Sequence, residues 1–254
     1  MSERRAAVDK LRNSLDRYEK IDAHAHLGKI GGWAGVAITA EQLIRQMDDY
    51  DVEKTALCCE DNDQTMKAMK NYPGRIIGCV YTDPLRQNSP EMVRHYAEEG
   101  FTAVKLNPLR HAYCADAEVL DPVLDAAQEL GMPVCIHSGH VPYALPWQIA
   151  LLAERHPKVK ILMLHMGHGH GVYIDAALKM ARRFPNLYLE MSGMPMPVKI
   201  REAYETVGHH RIMFGTDTPF HHPSVEIQKV LSCGVPESAL PDIFHDNAAE
   251  FFGI

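Results

Sequence analysis

Eight short apolar runs, each followed by a stretch of helical spacing, recur along this chain and leave few folds open to it. The strand-like runs cover 20–26, 55–59, 75–81, 101–106, 133–137, 159–165, 187–191 and 211–216. The intervening helices carry their own punctuation. Thr39 and Gln42 form a capping box, Ser89-Pro90 supplies an N-cap and a first-turn proline, and Gly100 and Gly131 close helices. Several strands are almost continuously apolar, as strands covered on both faces are. This alternation predicts an α/β fold, a (β/α)8 TIM barrel, with an open doubly wound sheet as the alternative. The chain's 254 residues suit one such barrel. No linker or repeat divides them, so 1–254 are expected to form a single barrel domain. A short helix over 4–18 precedes the first strand and a C-terminal helix ends the chain. The glycine-rich stretch 28–35 reads as a flexible loop.

Composition narrows the function. A net charge of −7 and a pI near 6.1 disfavour a nucleic-acid surface. Six cysteines occur without a Cys-x-x-Cys, and Cys58, Cys59, Cys79 and Cys135 lie in apolar runs where a thiol acts as a small hydrophobe. That usage fits a reducing compartment. With no apolar leader and no membrane span, a cytoplasmic location is expected. The outlier is histidine, at 15 residues collected near strand ends.

Side chains alternate faces along a strand, so His24 and His26 point the same way. Catalytic groups of such barrels gather at the C-terminal strand ends. Those ends carry His24, His26, Lys105, His137, His165 and, just past the last strand, Asp217. Parity puts Cys135 inward with His137, Ala103 with Lys105, and Met213 and Gly215 with Asp217. The same rule sends Leu162 and Leu164 outward if His165 points in, and Glu190 outward if Met191 points in. Histidine nitrogens beside a carboxylate suit Zn²⁺ or a similar divalent ion with a position left for water. The ligand distribution also decides for the barrel. Arg110, His111 and His140 lie in loops on the same side and are candidates for substrate contact, Arg110 because a guanidinium matches a planar carboxylate. His168, His170, His221 and His222 share that side, whereas His95, His156, His209, His210 and His245 read as structural. Asp22 has the parity of His24 and could orient a ligand from behind.

These residues also carry a resemblance. The runs Ile-Asp-Ala-His-Ala-His-Leu-Gly, Gly-Phe-Thr-Ala-Val-Lys-Leu-Asn-Pro, Pro-Val-Cys-Ile-His-Ser-Gly, Leu-His-Met-Gly, Glu-Met-Ser-Gly and Phe-Gly-Thr-Asp-Thr-Pro resemble the amidohydrolase superfamily. They are most similar to its amidohydrolase 2 branch, which also contains metal-dependent decarboxylases. The resemblance implies His24, His26, His137 and Asp217 as metal ligands and His165 as the histidine that handles the water. It implies one Zn²⁺, with Mn²⁺ or a second ion as alternatives. Lys105 would contact substrate or, as in binuclear members, become carboxylated and bridge two metals.

The expected activity is hydrolysis of an amide, lactone or related acyl bond of a small molecule, with Asp217 as base and with His165 and Lys105 assisting. Non-oxidative decarboxylation of a small carboxylic acid is the alternative. A TatD-like nuclease or phosphodiesterase is a weaker fit, because that group has Glu where Lys105 stands. The expected partner is a small-molecule substrate, with neither nucleic acid nor membrane, and the chain could form a homo-oligomer.

Overall fold

The computed structural model describes residues 15–30 and 34–254. The expected helix over 4–18 therefore falls, for residues 1–14, outside the described residues. Strand β1 (Lys20–Ala25) is followed by an antiparallel hairpin, β2 (Gly28–Ile30) and β3 (Val36–Ile38). Then come helix α1 (Ala40–Asp49), β4 (Val52–Leu57), α2 (Asn62–Asn71), β5 (Ile76–Tyr81), α3 (Ser89–Glu98) and β6 (Ala103–Leu106). A short α4 (Pro108–His111), α5 (Asp121–Leu130), β7 (Val134–His137), α6 (Pro146–Arg155) and β8 (Ile161–Leu164) follow. The chain continues through α7 (Gly171–Arg183), β9 (Leu187–Glu190), α8 (Pro197–Thr206), β10 (Ile212–Met213), α9 (Pro223–Leu231) and α10 (Asn247–Phe252).

β1 and β4 to β10 form one parallel sheet in chain order, and helices cover its outside, as in a TIM barrel. β10 meets β1 through individual hydrogen bonds. Ala23 N donates to Phe214 O (3.1 Å), Asp217 N to His24 O (2.6 Å) and His26 N to Thr218 O (2.7 Å). Asp22 reinforces this seam. Its Oδ1 accepts from the backbone N–H groups of His24 (3.0 Å) and Thr216 (2.8 Å), and its Oδ2 accepts from the Thr216 hydroxyl at 2.5 Å. The expected orienting role of Asp22 is thus exercised on backbone, not on an imidazole. Burial raises its carboxyl to about 7.

Small apolar residues fill the barrel: Ile21, Ala23, Ala56, Ile77, Ala103, Leu162, Leu164 and Met213, with Cys58, Cys79 and Cys135 among them. The opposite-parity residues, such as Val104, Leu106, Val134, Ile136, Ile161 and Met163, pack against the helices. The inward assignments of Lys105, His137 and Asp217 agree with these two layers. One parity expectation fails. Leu162 and Leu164 face inward, because the chain turns sharply at His165 (φ +67°) and Met166 (φ +49°), which ends the strand alternation. Glu190 also points in with Tyr188, while Met191 packs outward; Gly215 makes room, since a Cβ there would lie 2.4 Å from Glu190 Oε1.

The stretch expected to be a flexible loop after β1 contains the β2–β3 hairpin, and residues 31–33 lie outside the described residues. The Thr39–Gln42 capping box forms as expected. Asn88 rather than Ser89 precedes α3, and the Ser89 hydroxyl donates to Asp83 O at 2.5 Å. Among the described residues no helix is long and apolar enough to cross a membrane.

Asp22→Ala would leave three buried donors without an acceptor. The expected loss of stability is on the order of 3 kcal/mol, read from urea denaturation midpoints. Lys20, at the start of β1, is fully buried with Nζ 2.9 Å from Tyr50 O. Burial lowers its pKa from 10.5 to about 8. Between those values the unfolded chain holds the extra proton, so stability should rise with pH across that window. Lys20→Met should lack this rise in paired denaturation series; parallel slopes for the two proteins would contradict the assignment.

Candidate active site

The strand ends converge on a cluster of imidazoles, two carboxylates and one lysine. His26, one residue past β1, has its Nδ1–H donated to Cys58 O at 2.8 Å. Its Nε2 lies 3.0 Å from Asp217 Oδ1. The His24 ring is held on three sides. Its Nδ1 lies 3.6 Å from Asp217 Oδ1 and 3.4 Å from Ser192 Oγ, and its Nε2 lies 3.3 Å from Lys105 Nζ. Burial, then the nearby Lys105, holds His24 well below the ordinary histidine pKa. Asp217 sits at φ +55°, on the sharp turn that follows β10.

His165 donates from Nδ1 to Ser192 O at 3.0 Å, which leaves its Nε2 as the free lone pair. Its backbone N–H donates to Glu190 Oε2 at 3.1 Å. Glu190 also accepts from the backbone N–H of Ser192 and, at 2.9 Å, from the Ser192 hydroxyl. This fully buried carboxylate was the functional group that sequence reasoning left unassigned. Burial raises it to about 8. It fixes Ser192, and Ser192 in turn touches both His24 and His165. In the sequence Glu190 stands within the Glu-Met-Ser-Gly run, and Gly215 makes its space.

Among the described residues, three groups have ligand atoms mutually within 4.8 Å: two in this cluster, His24 with His165 and Asp217, and His137 with His165 and His168, and one away from it, Glu19 with Glu53 and His245. His137 also faces His140, Nε2 to Nδ1 at 2.9 Å, with the rings stacked. Burial lowers the pKa of His137 and His165 far below normal and lowers His140 as well. Burial and the neighbouring His140 bring His168 down to about 4. His24, His137, His140, His165 and His168 are therefore held toward the neutral imidazole, the form that binds a metal.

Other candidates fall outside it. Arg110 is exposed and engaged by Glu60 through both carboxylate oxygens, at 2.7 and 3.2 Å. His111 lies between Tyr81 and Tyr113, its buried Nδ1 without a hydrogen bond. His170 and His222 cap α7 and α9, accepting from Val172 N and Ser224 N. His221 reaches to 3.9 Å from Asp217 Oδ2.

A parallel barrel with histidines and a carboxylate gathered at its C-terminal strand ends has the layout of a TIM-barrel active site. The family model described as Amidohydrolase, the amidohydrolase 2 type, matches residues 21–254, and the chain belongs to that family of enzymes. Solved structures agree on the fold. A 5-carboxyvanillate decarboxylase from Novosphingobium aromaticivorans, complexed with manganese and a nitrobenzoic acid, has a TM-score of 0.75 at 16% identity, over 93% of this chain and 96% of that one. A 2,6-dihydroxybenzoate decarboxylase from Rhizobium gives 0.72 at 16% identity, over 93% and 99%. A proposed 2-pyrone-4,6-dicarboxylic acid hydrolase from Pseudomonas putida gives 0.73 at 18% identity, over 92% and 97%.

Gly139 allows the loops after β7 and β8 to meet. A Cβ there would lie 2.0 Å from His168 O, and the residue sits at φ +95°. Gly139→Ala should therefore cost about 3 kcal/mol or more and displace His168 from its neighbours. A lowered melting temperature together with changed His168 ring resonances by NMR checks this.

Proposed function

We propose that the protein is a divalent-metal-dependent hydrolase that cleaves an amide, lactone or related acyl bond of a small molecule. His24, His26 and Asp217 hold the ion, with His137 as the neighbouring fourth nitrogen. The observation that carries this reading is the 3.0 Å contact between His26 Nε2 and Asp217 Oδ1. The other nitrogen of His26 is committed to a carbonyl, so Nε2 and a carboxylate oxygen converge where both could hold a cation. Neutral imidazoles plus one carboxylate fit Zn²⁺, and the manganese of the Novosphingobium enzyme makes Mn²⁺ the other candidate. When bound, such an ion supplies Lewis-acid polarisation and lowers the pKa of water.

The protein's own groups do the rest. Asp217 accepts a proton from the attacking water and returns it to the leaving group. Glu190 and Ser192 hold His24 and His165 in place, so the rings need not reorganise during the reaction. His165 keeps Nε2 turned toward the reacting groups.

Decarboxylation is the second reading, and Lys105 favours it. Its side chain is fully buried on the barrel axis beside His24, where its nitrogen can pair with a substrate carboxylate. In that reaction the bond from carbon to the carboxylate breaks, CO₂ leaves, and a protonated side chain delivers H⁺ to the carbon. The two fold relatives with decarboxylase activity support keeping this reading.

The test is product analysis with metal-loaded enzyme on a panel of lactones, amides and aromatic carboxylic acids. Hydrolysis yields the ring-opened or cleaved acid without CO₂. Stoichiometric CO₂ with no cleaved acyl product would overturn it in favour of decarboxylation. Asp217→Asn should lower turnover about 10²–10⁴-fold on whichever substrate is found.

A further inference from the structure

One buried ion pair lies outside the cluster and yet is tied to it. Glu226 and Lys229, one turn apart on α9, are 3% and 9% exposed and paired to each other. Their remaining bonds leave the helix for a single place, the turn 191–193 that follows β9. Lys229 Nζ donates to Met191 O at 2.7 Å, and the Glu226 carboxylate accepts from the backbone N–H of Gly193. Ser192 stands between these two anchored residues. On its other side the same turn carries rings of the site. Ser192 O accepts from His165 Nδ1 at 3.0 Å, and Ser192 Oγ lies 3.4 Å from His24 Nδ1. The backbone of Gly193 bonds the His168 ring, whose buried Nε2 has no hydrogen-bond partner, so that bond belongs to Nδ1. A buried ion pair adds little stability over apolar side chains of the same volume, because desolvation offsets the attraction. α9 has apolar anchors of its own in Ile227 and Val230. Gly193, at φ +67°, has no side chain to fix it, and a Cβ there would lie 2.8 Å from His221 Nε2. What the pair supplies is direction, through charge-assisted bonds to two backbone groups that flank Ser192.

We propose that Glu226 and Lys229 are positioning residues of the active site, clamping the turn 191–193 from α9 and, through its carbonyls, setting the tautomers of His165 and His168. Each ring then keeps Nδ1–H on a fixed acceptor and its Nε2 unprotonated, which is how groups behind a site orient imidazoles. This clamp serves hydrolysis and decarboxylation alike.

The test uses the full-length, metal-free chain with isotope-labelled histidine, its ring tautomers read from long-range proton–nitrogen NMR correlations. Wild type should show His165 and His168 each as a single Nδ1–H tautomer. The double variant Glu226→Leu/Lys229→Met keeps the volume and removes both charges. It should melt within a few degrees of wild type yet show both rings as tautomer mixtures, which a merely structural pair would not produce. Glu226→Gln keeps an acceptor for Gly193 and a partner for Lys229, and should retain the single tautomers. A Co²⁺ titration, which rests on the metal reading above, should find the double variant binding about 10–100-fold more weakly than wild type. No Co²⁺ binding in wild type overturns that metal reading, and the tautomers then decide the clamp. Wild-type tautomers in the folded double variant overturn the clamp, as do mixed tautomers in wild type. Should the double variant fail to fold, hydrogen exchange in wild type decides. The Gly193 amide should exchange as slowly as the amides of β9, and exchange at the rate of an exposed amide overturns the clamp.

Discussion

Closure of the barrel between β10 and β1 is the constraint on which the site depends. Asp22 reaches from β1 to Thr216, 194 residues away in the chain, and ties the two segments through two hydrogen bonds accepted from Thr216, while a third comes from His24 on its own strand. The backbone bonds of Ala23, His26 and Asp217 complete the seam. Without it His24 and His26 would have no fixed relation to Asp217, because the nearest regular ladder to β10 runs to β9. The seam is made of individual bonds and not a continuous ladder, which leaves the strand ends free to turn. Asp217 uses that freedom, at positive φ, to bring its carboxylate back over the barrel axis.

Behind the cluster lies a polar layer that is costly to bury and is nearly fully satisfied. Glu190 takes three hydrogen bonds inside the barrel, all from His165 and Ser192. A buried carboxyl with such partners is tolerable, and its raised pKa reports the desolvation that remains. Satisfied networks of this kind rigidify their neighbourhood. Here the neighbourhood is the pair of rings, His24 and His165, that face the candidate ion.

Much of this was legible in the sequence, for a definite reason. A TIM barrel repeats one pattern eight times, so a ligand at the end of a run has a known side and a known end. Lys105, His137 and Asp217 stand where alternation puts them, with Ala103, Cys135 and Met213 beneath them. Alternation failed where the backbone left the extended region. His165 and Met166 adopt left-handed angles, so the two leucines before them kept the inward face while His165 reached the same space by a turn. Glu190 was left unassigned because alternation alone does not say which face of its strand points inward; its room is made by Gly215, just past β10. Arg110 was a fair candidate by type, but a glutamate fifty residues earlier in the chain occupies its guanidinium.

The arrangement also explains why so many histidines stand together without mutual charge. An imidazolium in this cluster would face other rings and a lysine in a dry environment, so burial drives His24, His137 and His165 neutral. Neutral rings can crowd, stack and keep lone pairs, provided each second nitrogen is committed elsewhere. Cys58 O and Ser192 O supply those commitments for His26 and His165, and the Gly193 backbone does so for His168. The chain thus fixes tautomers with backbone groups, which cannot titrate and cannot swing away. Anchored in this way, the rings of His26 and His165 keep their remaining nitrogens turned into the cluster.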